Sequence, residues 1–239
     1  MENRSGIIFA LDIENERDAL SLIANIANDI DAIKIGYPFI LSNGLESVKK
    51  IKKITDLPLI ADLKIADVPF IAKKIIRMVS NVGFEAATIC GFIGPESCNE
   101  CIEIAKDMKI FIITEFTNPS GNIFTGPFSE DVAIMAKELG AYGIQAPATR
   151  PERIMKFREL IGNDMTIISC GIGQQGPAFG SAIRAGADFE IIGRAIYSTI
   201  NYSEILKQVQ KDINLARIEK STFQMEVDKS PDNKNVIQV

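Results

Sequence analysis

The chain contains no histidine and no tryptophan. Without histidine the commonest general base and the commonest metal ligand are both gone, so any chemistry must run on aspartate, glutamate, lysine or cysteine. Cysteine is sparse, with four in the chain. Cys98 and Cys101 form one C-x-x-C, and no second pair lies at zinc spacing. That pair is expected one turn apart on a helix, reduced and structural, with a redox pair as the competing reading. An excess of positive charge is also lacking. The net charge of −5 argues against a nucleic-acid-binding surface, although a small phosphate pocket fits inside an acidic protein. Nor does a long apolar run follow a basic region at the start: MENRSGIIFALD turns polar at Glu14. Neither signal peptide nor membrane anchor is therefore expected, and the location implied is cytoplasmic.

What is present is enough apolar residue for a full core, 46% of 239 residues, in one large α/β domain or two small ones. Short β-branched or apolar runs alternate with longer amphipathic stretches from end to end, the pattern of βα units on a parallel sheet. Strands are expected at Gly6 to Asp12, Ala32 to Gly36, Leu57 to Lys64, Ala86 to Gly91, Lys109 to Glu115, Tyr142 to Ala146, Met165 to Cys170 and Asp188 to Gly193. Between them lie helical spacings such as Ala19, Leu20, Ile23 and Ile26, or Leu45, Val48, Ile51 and Ile54. Further helices are expected at Ile71 to Val82, Glu96 to Met108, Glu130 to Leu139, Arg150 to Ile161, Phe179 to Ala185 and Tyr202 to Ile218. Eight such units in this length predict a single-domain (β/α)8 TIM barrel over residues 1–218. A doubly wound open sheet competes, but no G-x-G-x-x-G opens the chain. Residues 219–239 are polar and without periodicity, and are expected to form a mobile tail.

Within the third strand, LIADLKIADVP places Asp62 and Lys64 on one face by the two-residue period of a strand, with Asp67 just beyond. Val68-Pro69 then stops the strand and opens a helix. Three ionisable groups among apolar neighbours are costly to bury unless they pair. In a barrel the active site forms at the C-terminal strand ends. Asp12 ends the first strand, Lys34 lies near the end of the second, and Asp62, Lys64 and Asp67 follow on the third, so five charges of alternating sign share one rim. The competing reading caps helices or pairs charges on the surface. After the seventh strand comes GIGQQG, Gly171 to Gly176, and after the eighth GRAIY, Gly193 to Tyr197. Glycine amides, a helix start at Gly193 and the Arg194 guanidinium are the ingredients of a phosphate site. The fifth loop, Thr114 to Gly121, is rich in donors able to read a flat heterocycle through Thr117. Asn122 to Pro127 reads equally as a lid or a plain connection.

With these residues in order, the chain resembles an orotidine 5′-monophosphate decarboxylase of the short microbial and archaeal type, through KIGYP, ADLKIADVP, TRPER, GIGQQG and GRAIY. The resemblance implies conversion of orotidine 5′-monophosphate to uridine 5′-monophosphate and carbon dioxide without metal or organic cofactor. It makes Lys64 the proton donor to C6 and sets Asp62 against the substrate carboxylate, where two like charges about 4 Å apart repel by roughly 4 kcal/mol at an effective dielectric near 20. Lys34 and Asp67 complete the network. Asp67 reaches a neighbouring subunit's site, implying a homodimer. Asp12, Lys34 and Asp67 bind ribose hydroxyls, Thr117 reads the pyrimidine where serine is usual, Gln175 bridges phosphate and base, and Gly193 with Arg194 grips the phosphate. Ile71 and Cys90 depart from the family pattern, standing where a small polar residue and a histidine are common.

Two rivals remain. A magnesium-dependent phosphosugar enzyme of the same scaffold, such as a 3-keto-L-gulonate 6-phosphate decarboxylase or a hexulose phosphate synthase, needs an acidic ligand near the end of the second strand, where this chain has Lys34. A non-catalytic phospholigand-binding barrel has no use for both Asp62 and Lys64.

Overall fold

The computed structural model describes residues 1–229. Eight parallel strands close into a barrel in sequence order, β1 pairing with both β2 and β8. They are β1 (Ile7–Leu11), β2 (Ala32–Gly36), β3 (Leu59–Ile65), β4 (Ala86–Cys90), β5 (Lys109–Ile113), β6 (Gly143–Pro147), β7 (Thr166–Cys170) and β8 (Phe189–Ile192). The helices are α1 (Glu16–Ile26), α2 (Tyr37–Asn43), α3 (Val48–Ile51), α4 (Pro69–Val82), α5 (Gly94–Ala105), α6 (Gly121–Thr125), α7 (Ser129–Glu138), α8 (Pro151–Ile161), α9 (Ser181–Ala185), α10 (Arg194–Tyr197) and α11 (Tyr202–Lys229). The expected (β/α)8 barrel is the observed fold, with strand ends displaced by a residue or two.

Two apolar layers follow from the two faces of the strands. Residues such as Phe9, Ile33, Ala61 and Ile144 point outward and pack with α1, α4, α8 and α11. Ile8, Ala32, Ile60, Ala86, Phe111, Ile168 and Phe189 point inward and plug the barrel. Above that plug the inward positions turn polar, at Lys34, Asp62, Thr88 and Gln145, all of them buried.

The second helical stretch is not one helix. Gly44, at φ +77°, separates α2 from a 3₁₀ turn at Leu45–Ser47 and from α3, so the apolar spacing of 45–54 spans a kinked connection. The lid or connection at 122–127 is a helical turn, α6, followed by a 3₁₀ turn at Gly126–Phe128. Cys98 and Cys101 lie buried and free on α5. Helix α11 runs on past Ile218, where apolar periodicity fails, to Lys229; residues 230–239 of the expected tail lie outside the described residues.

Away from the polar mouth, the approach to β1 is tied down. Asp31 accepts hydrogen bonds from the Ser5 and Gly6 amides at 3.0 and 2.7 Å, and Arg217 of α11 donates to the Arg4 carbonyl at 3.0 Å. Among the described residues no helix is long and apolar enough to cross a membrane.

Candidate active site

Lys34 on β2 and Asp62 on β3 come together because the parallel register sets Lys34 beside Ile60 and Gly36 beside Asp62. Lys34 is 6% exposed and Asp62 3%, and they form a direct ion pair. Lys64 Nζ adds a second contact to Asp62 Oδ2 at 3.0 Å, with its side chain 37% exposed. One carboxylate thus sits between two ammonium groups. Burial would raise the Asp62 carboxyl, but Lys34 and Lys64 outweigh it and hold it down to about 2. Burial would likewise lower Lys34, yet Asp62 and then Asp12 leave it above the ordinary lysine value.

Lys64 does not follow from regular strand alternation. The β3–β4 register breaks between Ala61 and Ile65, and Lys64 sits at φ +44°, a conformation that costs a non-glycine residue on the order of 1 kcal/mol or more. Three contacts hold it there. The Lys64 amide donates to Thr88 Oγ1 at 3.2 Å, Thr88 Oγ1 donates to Asp62 Oδ1 at 3.0 Å, and the Cys90 thiol donates to the Lys64 carbonyl at 3.4 Å. Cys90, noted in the sequence for what it replaces, is thus a brace of the lysine's backbone. Burial pushes its thiol up to about 11, as it does that of Cys170 in the cavity wall, so neither is a thiolate nucleophile near neutrality.

The network opens into a cavity of about 250 Å³, room for a small molecule and not a polymer. Asp12, Lys34, Asp62, Lys64, Thr117, Gln175, Gly193 and Arg194 all line it, so eight of the nine residues singled out in the sequence share one cavity. Gly36 leaves room for Asp12: a Cβ there would displace the Asp12 carboxylate from its present position. Gly171, at φ +96°, is the point where Thr117 and Gln175 converge, since a Cβ on it would meet Gln175 Oε1 and Thr117 Cγ2 at 3.2 Å each. At the rim, α10 is one short turn, too short for a substantial macrodipole, so positive field there comes from Arg194 and the loop amides. The ninth residue, Asp67, is exposed and outside this cavity; its Oδ1 accepts from the Val68 amide at 2.8 Å. None of residues 122–127 lines the cavity.

Sequence reasoning missed Thr88 and Gln145. Both occupy inward positions of expected strands, and the available signal was a polar residue inside an otherwise apolar run. Among the described residues no group of three or more Asp, Glu, Cys or His side chains is placed to hold a metal ion; at the end of β2 the inward group is the Lys34 ammonium.

Comparison with known proteins fits this geometry. The family model for orotidine 5′-phosphate decarboxylase / HUMPS matches residues 5–209. The orotidine 5′-phosphate decarboxylase of Methanosarcina barkeri is 41% identical over 215 residues, covering 89% of this chain and 96% of the relative. That of Pyrococcus furiosus is 36% identical over 87% of this chain and 97% of its own. Among solved structures, the Methanocaldococcus jannaschii orotidine 5′-monophosphate decarboxylase complexed with the inhibitor BMP superposes with a TM-score of 0.82 at 32% identity, covering 87% of this chain and 98% of that one. With the barrel, the charged strand ends and these matches in agreement, the chain belongs to the orotidine 5′-phosphate decarboxylase / HUMPS family.

Proposed function

We propose that this protein is a carboxy-lyase that converts orotidine 5′-monophosphate to uridine 5′-monophosphate and carbon dioxide in pyrimidine biosynthesis, with Lys64 delivering the proton to C6. The observation that carries this reading is a buried carboxylate, Asp62, held ionised between Lys34 and Lys64 at the floor of a cavity. A substrate carboxylate brought beside Asp62 meets a like charge that cannot take up a proton near neutrality, because the flanking ammonium groups hold its pKa down. Departure of carbon dioxide relieves that repulsion. The carbanionic charge left at C6 faces the Lys64 ammonium, which stabilises it and then protonates it.

The rest of the cavity supplies binding. Asp12 and Lys34 are the ribose partners, Thr117 and Gln175 read the base and the bridge to phosphate, and Gly193 and Arg194 take the phosphate. Binding energy at the phosphate, remote from C6, offsets the cost of desolvating the reacting end. Asp67 belongs to a second copy's site in a homodimer. Its exposure supports that reading, as do exposed Val68 and Phe70 beside it, because neighbouring exposed apolar side chains favour burial against a partner. The enzyme acts in the cytoplasm and needs no metal. In a magnesium-dependent relative of this scaffold the end of β2 would have to present a carboxylate, and an ammonium stands there instead.

The test is loss of orotidine 5′-monophosphate absorbance in the presence of chelator. Turnover supports the reading, whereas inactivity restored by magnesium and a phosphosugar would replace the substrate, and no turnover with either would leave a binding protein. Mixing Lys64→Ala with Asp67→Ala checks the shared site: recovery of activity in the mixture, with each variant inert alone, is expected of a homodimer, and no recovery would refute it.

A further inference from the structure

Gln145 is a buried polar side chain lining the cavity that the mechanism leaves unused. It sits on β6, four strands from β2 around the closed barrel, and therefore on the wall facing Lys34. The flanking Ile144 and Ala146 belong to the outer apolar layer, so strand alternation turns Gln145 inward, and its side chain lines the cavity. It is 4% exposed, as deep as Lys34 and Asp62. Its Oε1 is fully buried with no hydrogen-bond partner among the described residues. Such an amide costs free energy in the empty protein comparable to a lost hydrogen bond. A residue of that kind in a cavity is a half-made contact awaiting a ligand group.

We infer that Gln145 is a specificity residue that hydrogen-bonds the substituent at C6 of the pyrimidine. The inference rests on the proposed decarboxylase reading. With phosphate at the rim between Gly193 and Arg194 and C6 beside Lys64, only the deepest part of the nucleotide, its C5–C6 edge, lies at the level of Gln145. A half-turn about the terminal bond of the side chain presents either its carbonyl or its amide N–H. Toward a carboxylate flanked by Asp62 it is the neutral N–H donor that fits, supplying an attraction without adding a cation that would quench the repulsion Asp62 provides. The contact exists with the 6-carboxylate and is lost in the product, which carries hydrogen at C6.

The test compares wild type with Gln145→Leu, using Gln145→Met should the leucine variant fail to fold. Three quantities are read: kcat/KM for orotidine 5′-monophosphate, Kd for uridine 5′-monophosphate, and the melting temperature of the free protein. Expected are a fall in kcat/KM of about tenfold or more, a product Kd within about twofold of wild type, and a melting temperature raised by removal of the unpaired amide. Equal weakening of substrate and product, with a lowered melting temperature, would mark a packing role and overturn the inference. Unchanged kcat/KM would overturn it as well, the amide being satisfied by water. Wild-type protein that binds uridine 5′-monophosphate but does not decarboxylate the substrate would remove the parent reading instead, a result seen before any variant is made.

Discussion

Two buried ion networks occupy this barrel and they are finished differently. In one, Glu115 at the end of β5 pairs with Arg150 and Arg153 of the sixth unit, and Arg153 also reaches Glu130 of α7 at 2.9 Å. The same arginines also engage other protein groups: Arg150 donates to the Phe116 carbonyl, and Arg153 to the Gly126 carbonyl and the Ser129 hydroxyl. In the other, Lys34, Asp62 and Lys64 form a chain of alternating charge whose last member faces a cavity with spare donors and a strained backbone. A saturated network ties elements together. An unsaturated one, held rigid by Thr88 and Cys90, is available to a ligand. Partner count and access, rather than burial of charge, separate structural ion pairs from chemical ones.

The contrast is sharpest at its extremes. Lys64→Ala should lower kcat by 10³-fold or more, an order of magnitude set by loss of both proton donation and charge stabilisation, and its urea midpoint should stay close to wild type because Lys34 still neutralises Asp62. A variant retaining a tenth of wild-type turnover would place the proton donor elsewhere. Glu115→Ala should do the reverse, costing about 3 kcal/mol of stability by removing the carboxylate that two arginines share and leaving Arg150 without one, with kcat unchanged where the protein is folded. A drop in kcat without loss of stability would erase the distinction between the two networks.

A smaller effect comes from pH. The Asp62 carboxyl lies at about 2 in the folded protein against an ordinary 3.8. Its contribution, on the order of 2 kcal/mol, is thus complete above pH 4 and is lost as pH falls from there through 2. Acid unfolding of Asp62→Asn should lack that component, and an unaltered profile would show that the flanking lysines do not hold the carboxyl down. The smallest effect expected is that of Thr88→Val, about tenfold in kcat/KM. The variant loses the hydroxyl that accepts from the Lys64 amide and donates to Asp62, and the loss should fall on kcat more than on KM. A pure KM effect would mean that Thr88 contacts substrate rather than aiming the lysine.

What the sequence disclosed depended on locality. Asp12, Lys34, Asp62 and Lys64 sit at strand ends, where the βα repeat alone predicts convergence on one rim, and the glycines of the seventh and eighth loops announce their backbone. The break in β3 was hidden, because alternation assigns Lys64 to the Asp62 face without the register shift that sets its φ. Gln145 and Thr88 were hidden for another reason: whether an inward polar residue lies in the plug or at the cavity floor depends on the stagger between strands, which pairing partners far along the chain determine. The Glu115 network spans 35 and 38 residues, beyond any spacing rule. The extent of α11 was not visible because its last turns carry helix-compatible residues without an apolar stripe, and propensity alone argues weakly.

The tether between Arg217 and Arg4 has a consequence for handling the molecule. Helix α11 begins beside the cavity rim and descends the outside of the barrel, so by Arg217 it has reached the opposite end. A fluorescent label placed at exposed Ile218 therefore sits at the pole remote from substrate. It can be exchanged or removed without entering the space that the nucleotide needs.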